Sequence, residues 1–561
     1  MTEAGKGHAV ETSRRLSESM LWTLQRRFYD GHGVEAWSSG TIPHYITANT
    51  FIAWSYARVI RGFITDLARA GRLDHNKPVY VVEYGAGPGR FGFLCLRELL
   101  ALVHRRFPDL RVIYVLTDFT PANLAFWRAH PRLQPFFEEG SLDLARFDVE
   151  NDGRIVTERG GVVLGPETVN NPLVVIANYV LDTLGQDLFR LYSGMLLDCP
   201  VSLWSDREVA PAPDDPELLT GLKLVTEPRT LETEPYPDHP AWNHILETYR
   251  DTMGDATIGF PVGALRCIDH LRSLSRDAFL LLAADKSHTV LADMLWNPEP
   301  QLVLHGASFS LTANLDAVSR YVEHGGGFAM NTSPRETSLQ ISAFGQADGV
   351  SMTETRLEFD EAIDGFGPLD FFTISDKTLF IGPTAPGGGE GETAEPPPSL
   401  LTLRQWVDYL RLGHHDFFRL YVHADSVYSL VDSAPEGLRN EFREALALVW
   451  DRFYAIGDTM DVPFMIGRFL FRLGECREAI GFYQESLRDF GIDSMTLFNI
   501  GMCHYRLGEH EEAQACLRES LALNPENPFT AHWLPVLTAA PQENVQSSPP
   551  PESPQENVQE M

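Results

Sequence analysis

From residue 76 to about residue 335, short β-rich apolar runs alternate with helix-length amphipathic stretches. The runs are "PVYVVEYG", "RVIYVLTD", "PLVVIANY", "AFLLLAAD" and "GGGFAMNTS". Runs this short, apolar at nearly every position, fit strands buried on both faces. The long spacers supply the crossovers that parallel strands require. The pattern predicts an α/β fold: a Rossmann-like domain with a mostly parallel sheet over residues 76–381. Residues 1–75, rich in Trp, Tyr and Phe, read as an N-terminal helical segment of the same domain. The acidic, proline-bearing stretch 200–260 reads as an insertion or cap. Residues 340–382, with "TRLEFDEAI" and "LDFFTISDKTLFIG", read as a further β-like piece.

The chain of 561 residues carries 77 acids against 45 bases, a formal charge of −32. That excess disfavours a continuous basic groove for nucleic acid, and no nucleic-acid partner is expected. The six cysteines form no CxxC pair and no set with metal-ligand spacing, so no metal is expected. Their scatter fits a reducing compartment. Glu3, Glu11 and Glu18 in the first twenty residues suit neither a signal nor a transit peptide, and no apolar run approaches a membrane span. A cytoplasmic location is the expectation.

The first run ends in "VVEYGAGPGRFGF", residues 81–93. A dinucleotide fingerprint wants G-x-G-x-x-G after a strand, but Arg90 occupies the third glycine's place. A phosphate loop wants a Lys that does not follow. What stands is Glu83, Gly85, Gly87 and Gly89. This resembles the first motif of class I S-adenosylmethionine-dependent methyltransferases. The glycines let backbone approach a ligand closely, and Glu83 can accept hydrogen bonds from an ammonium group. Asp118 ends the next run, where the resemblance implies a contact to ribose hydroxyls. Asp143, in "GSLD", is read as ending the third strand, near adenine; its plainer role is a turn cap. A tight β-to-α turn with no ligand is the alternative for the whole loop.

At "VVIANYVLDTLGQDLFRL" the likeness becomes specific. The chain resembles the MidA-like methyltransferases, which include the mitochondrial arginine methyltransferase that assists complex I assembly. Their motif runs roughly A-N-E-x-x-D-A-L-P, matched here at Ala177, Asn178, Asp182 and Leu184. "IPHYITANTFIAWSYARVI", "FPVGALRCI", "AADKSH" and "SLTANLDA" follow in family order, over about residues 20–335. The family Glu is replaced by Tyr179, its Pro by Gly185 and its His by Asn314. The resemblance implies S-adenosyl-L-methionine as cofactor and a protein arginine as acceptor. A guanidinium wants carboxylates to orient it. Asp182 is therefore the catalytic candidate, against an N-cap role for the following helix. Asn178 is the candidate for orienting the ligand or a nucleophile.

"GPTAPGGGEGETAEPPPS", residues 382–399, is a linker by composition. Beyond it the chain is helical, over residues 401–538, and self-similar. "IGRFLFRLGECREAIGFYQESL" from Ile466 and "IGMCHYRLGEHEEAQACLRESL" from Ile500 align at a period of 34. This is similar to the tetratricopeptide repeat, a pair of antiparallel helices with small residues where they touch. Such solenoids bind extended peptides on a concave face, so a protein or peptide partner is expected. The adjacent His414, His415 and Asp416 read as a solvated helix face. The tail, 539–561, repeats "PQENVQ" and is read as disordered. The combined expectation is a methyltransferase acting on a protein or peptide. The alternatives are a non-catalytic adaptor and a small-molecule methyltransferase.

Overall fold

The computed structural model describes residues 7–205, 207, 218–276, 278–295, 302–306, 308–333, 335, 339–377 and 401–539. The expected linker and almost all of the expected disordered tail lie outside the described residues. The chain divides into two compact units. The first is Met1–Phe372 together with Tyr454–Asp458; the second takes the remainder from Thr373 onward.

The first unit is built on a mixed sheet. Its strands are β1 (Val79–Glu83), β2 (Val112–Asp118), β3 (Leu142–Arg146), β4 (Leu173–Asn178), β5 (Phe279–His288), β6 (Phe328–Asn331) and β7 (Leu339–Gln346). The spatial order is β6-β7-β5-β4-β1-β2-β3. Strands β5, β4, β1, β2 and β3 are parallel neighbours, whereas β7 and β6 run antiparallel. All five residues of β1 are buried. Alternation sends Val79 and Val81 into one apolar core and Tyr80 and Val82 into another. The expected α/β fold is thus present. The chain leaves β1 for β2 on one side and reaches β4 on the other, so the strand order reverses beside β1. Ligand crevices form outside the carboxyl ends of strands at such a point.

The N-terminal segment holds α1 (Met20–His32), the short α2 (Glu35–Ser38) and α3 (Thr50–Arg69). Ser19 caps α1 and Asn49 caps α3, each side chain accepting from a first-turn amide. Two further helices bear on the site, α4 (Arg90–Arg106) and α5 (Pro121–Ala129).

Two expectations are corrected. His8–Arg14 is a strand, not helix, paired antiparallel with Val201–Ser205. The 200–260 stretch, read as an insertion or cap, holds strands outside the main sheet: Val201–Ser205 also pairs with Leu222–Thr226, and Ala256–Phe260 pairs with Asp187–Tyr192. Residues 353–359 and 368–377 are helical, with a π-helical turn at Asp360–Gly365 between them. Phe371 of this stretch stacks on Phe51 of α3 at 4.9 Å. Tertiary packing overrides strand propensity there.

Among the described residues, the regular elements of the second unit are all helices. Its repeat comprises Val462–Leu473 with Cys476–Phe490, then Ser494–Arg506 with His510–Leu523. The period of 34 has a steric cause. A Cβ on Gly467 would stand 2.7 Å from Tyr483, and one on Gly501 would stand 3.2 Å from Leu517. Gly474 and Gly508 are left-handed, closing the first helix of each pair. Glu436–Arg452 packs before the repeats, with Phe442 edge-on to Phe469 at 5.1 Å. Pro528–Ala539 follows them, adding Trp533 and Leu537 to the core of the second pair. His414 and His415 are not on a helix. They are left-handed residues in the turn after Leu403–Leu412, and Asp416 is buried there, accepting from the Phe418 amide at 3.0 Å.

Candidate cofactor and active site

The site begins where β1 ends. Glu83 is its last residue, and the chain then turns through Gly85, Gly87 and Gly89 at φ of +58°, +53° and +80°. These left-handed angles are nearly free for glycine and strained for other residues. A Cβ on Gly85 would meet Val180 at 3.1 Å, and one on Gly87 would meet Trp37 at 3.0 Å. The loop is therefore a bare backbone cradle, and Gly89 opens α4 as its N-cap.

Asp118, at the end of β2, holds this cradle. Its carboxylate accepts from the Gly87 amide at 3.1 Å, the Thr120 amide at 2.9 Å and the Asn123 side chain at 3.0 Å. Burial still pushes its carboxyl above the usual range. The Trp127 indole donates to the Gly87 carbonyl at 3.1 Å. Glu83 is buried and accepts from the Tyr114 hydroxyl at 2.8 Å. Burial raises its carboxyl to about 8. A buried acid with so few donors is suited to a cationic ligand group, which would return it to the charged form.

One cavity gathers these groups. Glu83, Gly85, Gly87, Asp118 and Asn178 all line it, on the edge formed by β1, β2 and β4. Asn178 ends β4; it accepts from the Tyr56 hydroxyl at 2.9 Å and donates to the Thr47 carbonyl at 3.4 Å. Gly89 is not part of the lining.

Two expected residues are placed elsewhere. Asp143 is the second residue of β3, not its end. Its carboxylate accepts from the Arg159 and Gly160 amides at 2.9 and 2.8 Å, holding the turn between the short paired strands Ile155–Val156 and Val163–Leu164. The strand runs on to Arg146, so the carboxyl edge falls at Phe147, Asp148 and Val149, which do line the cavity. Asp182 does not line it either, although Tyr179, Val180 and Thr183 on both sides do. It is not an N-cap: it lies within a 3-10 turn, Leu181–Thr183, after which Leu184 is extended. Its amide donates to the Asp285 carboxylate at 3.2 Å, and one oxygen of each carboxyl is buried without a partner. Burial raises Asp182 to about 7, and burial beside Asp182 also raises Asp285 well above the usual carboxylate range. The two form a buried carboxyl pair.

The other wall comes from the N-terminal segment, whose site role the sequence did not show. Trp37 covers Gly87 and stacks on Tyr29 at 5.6 Å. His44 bonds through Nδ1 to the Ile42 carbonyl at 3.3 Å. A carbonyl only accepts, so Nδ1 carries the proton and Nε2 keeps its lone pair. Burial, with help from Arg90, lowers His44 to about 4, leaving it neutral at physiological pH. Arg26 of α1 pairs with Asp148 and with Glu150 (3.0 Å), tying the helix to the loop after β3. Tyr179 is held at φ +53°. Such strain in a non-glycine residue clusters at functional sites. The run of aromatic residues from Trp22 to Tyr56 was the available signal for this wall.

Among the described residues no group of three or more His, Cys, Asp or Glu could hold a metal ion, and no helix is long and apolar enough to cross a membrane. None of the six cysteines is in a disulfide.

Comparison with known proteins bears first on the helical unit. Residues 494–527 match the tetratricopeptide repeat model. No curated protein sequence is matched. A solved structure of a superfamily member from Burkholderia thailandensis bound to S-adenosyl-homocysteine is similar over 62% of this chain and 90% of its own, at 13% identity and a TM-score of 0.39. An uncharacterized protein of the same superfamily and organism gives the same coverage at 11% identity and a TM-score of 0.36. CalO1, a methyltransferase in calicheamicin biosynthesis, is similar over 59% of this chain and 70% of its own, at 12% identity and a TM-score of 0.22. These likenesses are remote.

Proposed function

We propose that the chain is an S-adenosylmethionine-dependent methyltransferase. One observation carries the reading: three left-handed glycines lie between two buried acids, Glu83 and Asp118, at the carboxyl edge where the strand order reverses. The residues present fit the cofactor. Glu83 would take its ammonium group, the Gly85–Gly87 backbone its methionyl portion, and Asp118 its ribose hydroxyls. Phe147, Asp148 and Val149 replace Asp143 as the adenine edge. Asn178, fixed by Tyr56 and Thr47, would orient the ligand or a nucleophile. The bound cofactor supplies an activated methyl group on a sulfonium. This chain's residues align donor and acceptor, exclude water and accept an acceptor proton.

The acceptor is proposed to be a protein or peptide recruited through the helical repeats, with arginine implied by the family resemblance. A cavity between Glu436–Arg452 and the first repeat, lined by Arg443, Trp450, Ile466, Leu470 and Phe482, supports peptide binding. A second reading, a cofactor-binding adaptor without catalysis, is favoured by one fact: Asp182 is buried away from the cavity. Transfer of a labelled methyl group from the cofactor onto proteins of a cell lysate separates the two. Label in protein supports catalysis. Cofactor binding with no label in protein or small molecules supports the adaptor.

A further inference from the structure

Arg90 stands where a dinucleotide loop has its third glycine, and it is only 2% exposed. A buried guanidinium requires partners. Two of them come from a segment far along the chain. Its Nε donates to the Tyr454 carbonyl at 3.1 Å, and Nη2 pairs with the Asp458 carboxylate at 3.1 Å. The same five residues, Tyr454–Asp458, belong to the first unit.

The segment also grips the chain after β2. His130 bonds through Nε2 to the Ala455 carbonyl at 2.9 Å, while its Nδ1 accepts from the Arg132 amide at 3.2 Å. The His130 and Tyr454 rings stack at 3.7 Å and 7°. Phe93 of α4 lies 5.2 Å from Tyr454. The Tyr454 hydroxyl is buried without a hydrogen-bond partner, 3.2 Å from where a Cβ on Gly89 would stand. The Trp127 indole lies 2.8 Å from that same point. Gly89 therefore has to be glycine on two counts, its left-handed φ and the packing of Trp127 and Tyr454 against it.

We propose that Tyr454–Asp458 is a strap belonging to the cofactor site, and that Arg90 and Asp458 are positioning residues for the Gly87–Arg90 turn. The inference rests on the methyl-donor reading of that turn. Trp127 and Asp118 fix the carbonyl and amide of Gly87. The strap adds to this further along the turn, packing Tyr454 against Gly89 and bonding Arg90 through the Tyr454 carbonyl and Asp458. Gly89 and Arg90 open α4, whose first-turn amides favour an anionic ligand group. Without the strap Arg90 would lose both these partners while buried, and the turn could not keep this conformation.

The test uses the full chain and S-adenosyl-homocysteine as probe. Asp458→Asn, which keeps the shape and removes the charge, is expected to weaken binding about tenfold. Asp458→Glu, which keeps the carboxylate, is expected to remain within about threefold of the unaltered protein. In the unaltered protein, hydrogen exchange should slow at residues 85–93 and also at 454–458 when the probe is added. This second readout holds even if Asp458→Asn does not fold. Slowing confined to 85–93, or unchanged binding by a folded Asp458→Asn, would overturn the strap. No heat and no slowing anywhere would sink the donor reading itself.

Discussion

Arg90 and Asp458 form an ion pair at 3.1 Å, with side chains 2% and 9% exposed. The pair explains a departure that the sequence alone left bare. Arg90 is no failed glycine; it is the buried cation by which the loop is held from behind. Removing one partner of a buried pair costs about 3–5 kcal/mol, because the remaining charge loses its counter-ion. Asp458→Ala is expected to lower stability by about that amount in urea unfolding, and Asp458→Glu by much less.

Asp118 tests the cradle from the other side. It accepts three hydrogen bonds, one from Gly87, and the ribose role would add more. Asp118→Asn turns an acceptor edge into a donor facing donors. The expected result is cofactor affinity about tenfold to a hundredfold weaker by calorimetry.

The buried acids give a pH signature. Glu83 titrates near 8 in the folded chain against 4.5 as its ordinary value, and Asp182 and Asp285 are raised too. Between those values the folded state holds protons that the unfolded state has released. Stability therefore falls as pH rises from about 5 to 8. A cationic ligand group prefers ionised Glu83, so cofactor affinity should rise over the same window and level off above pH 8. Glu83→Gln is expected to flatten the affinity profile and to lessen, without abolishing, the fall in stability, because Asp182 and Asp285 remain raised; calorimetry and urea midpoints at stepped pH follow the two.

Tyr179 inverts an ordinary order of stability. Glycine normally costs more than alanine, but at φ +53° the alanine is strained and the glycine is not. Tyr179→Gly is expected to be about 1 kcal/mol more stable than Tyr179→Ala. The order of the two thermal midpoints decides it.

Three glycines of the repeats divide by their surroundings. A Cβ on Gly467 would stand 2.7 Å from Tyr483, so Gly467→Ala should destabilise by about 1–3 kcal/mol. Gly474→Ala meets open space but a φ of +90°, and should also destabilise. Gly481 is helical, exposed and open, so Gly481→Ala should stabilise by about 0.5–1 kcal/mol. Three urea curves test the set.

The fold and half of the site were legible because their causes are local. Strand periodicity and left-handed glycines are written within a few residues of where they act, and Glu83, Gly85, Gly87, Asp118 and Asn178 do meet in one cavity. Asp143 went astray because β3 runs to Arg146, and an error in a strand's end moves every edge residue. Asp182 is two residues from the cavity lining at Val180, yet a 3-10 turn directs it to Asp285. The aromatic wall and the strap are beyond local reading. Arg90 and Asp458 are 368 residues apart in the chain.

The central claim is that the Gly85–Gly89 cradle binds S-adenosylmethionine. Calorimetric titration of the cofactor into the full chain tests it most directly. The account predicts saturable binding at one site per chain, with a Kd of about 1–100 μM, tightening from pH 6 to pH 8 and weakened in Asp118→Asn. No saturable heat with millimolar cofactor would contradict it, as would binding that Asp118→Asn leaves untouched.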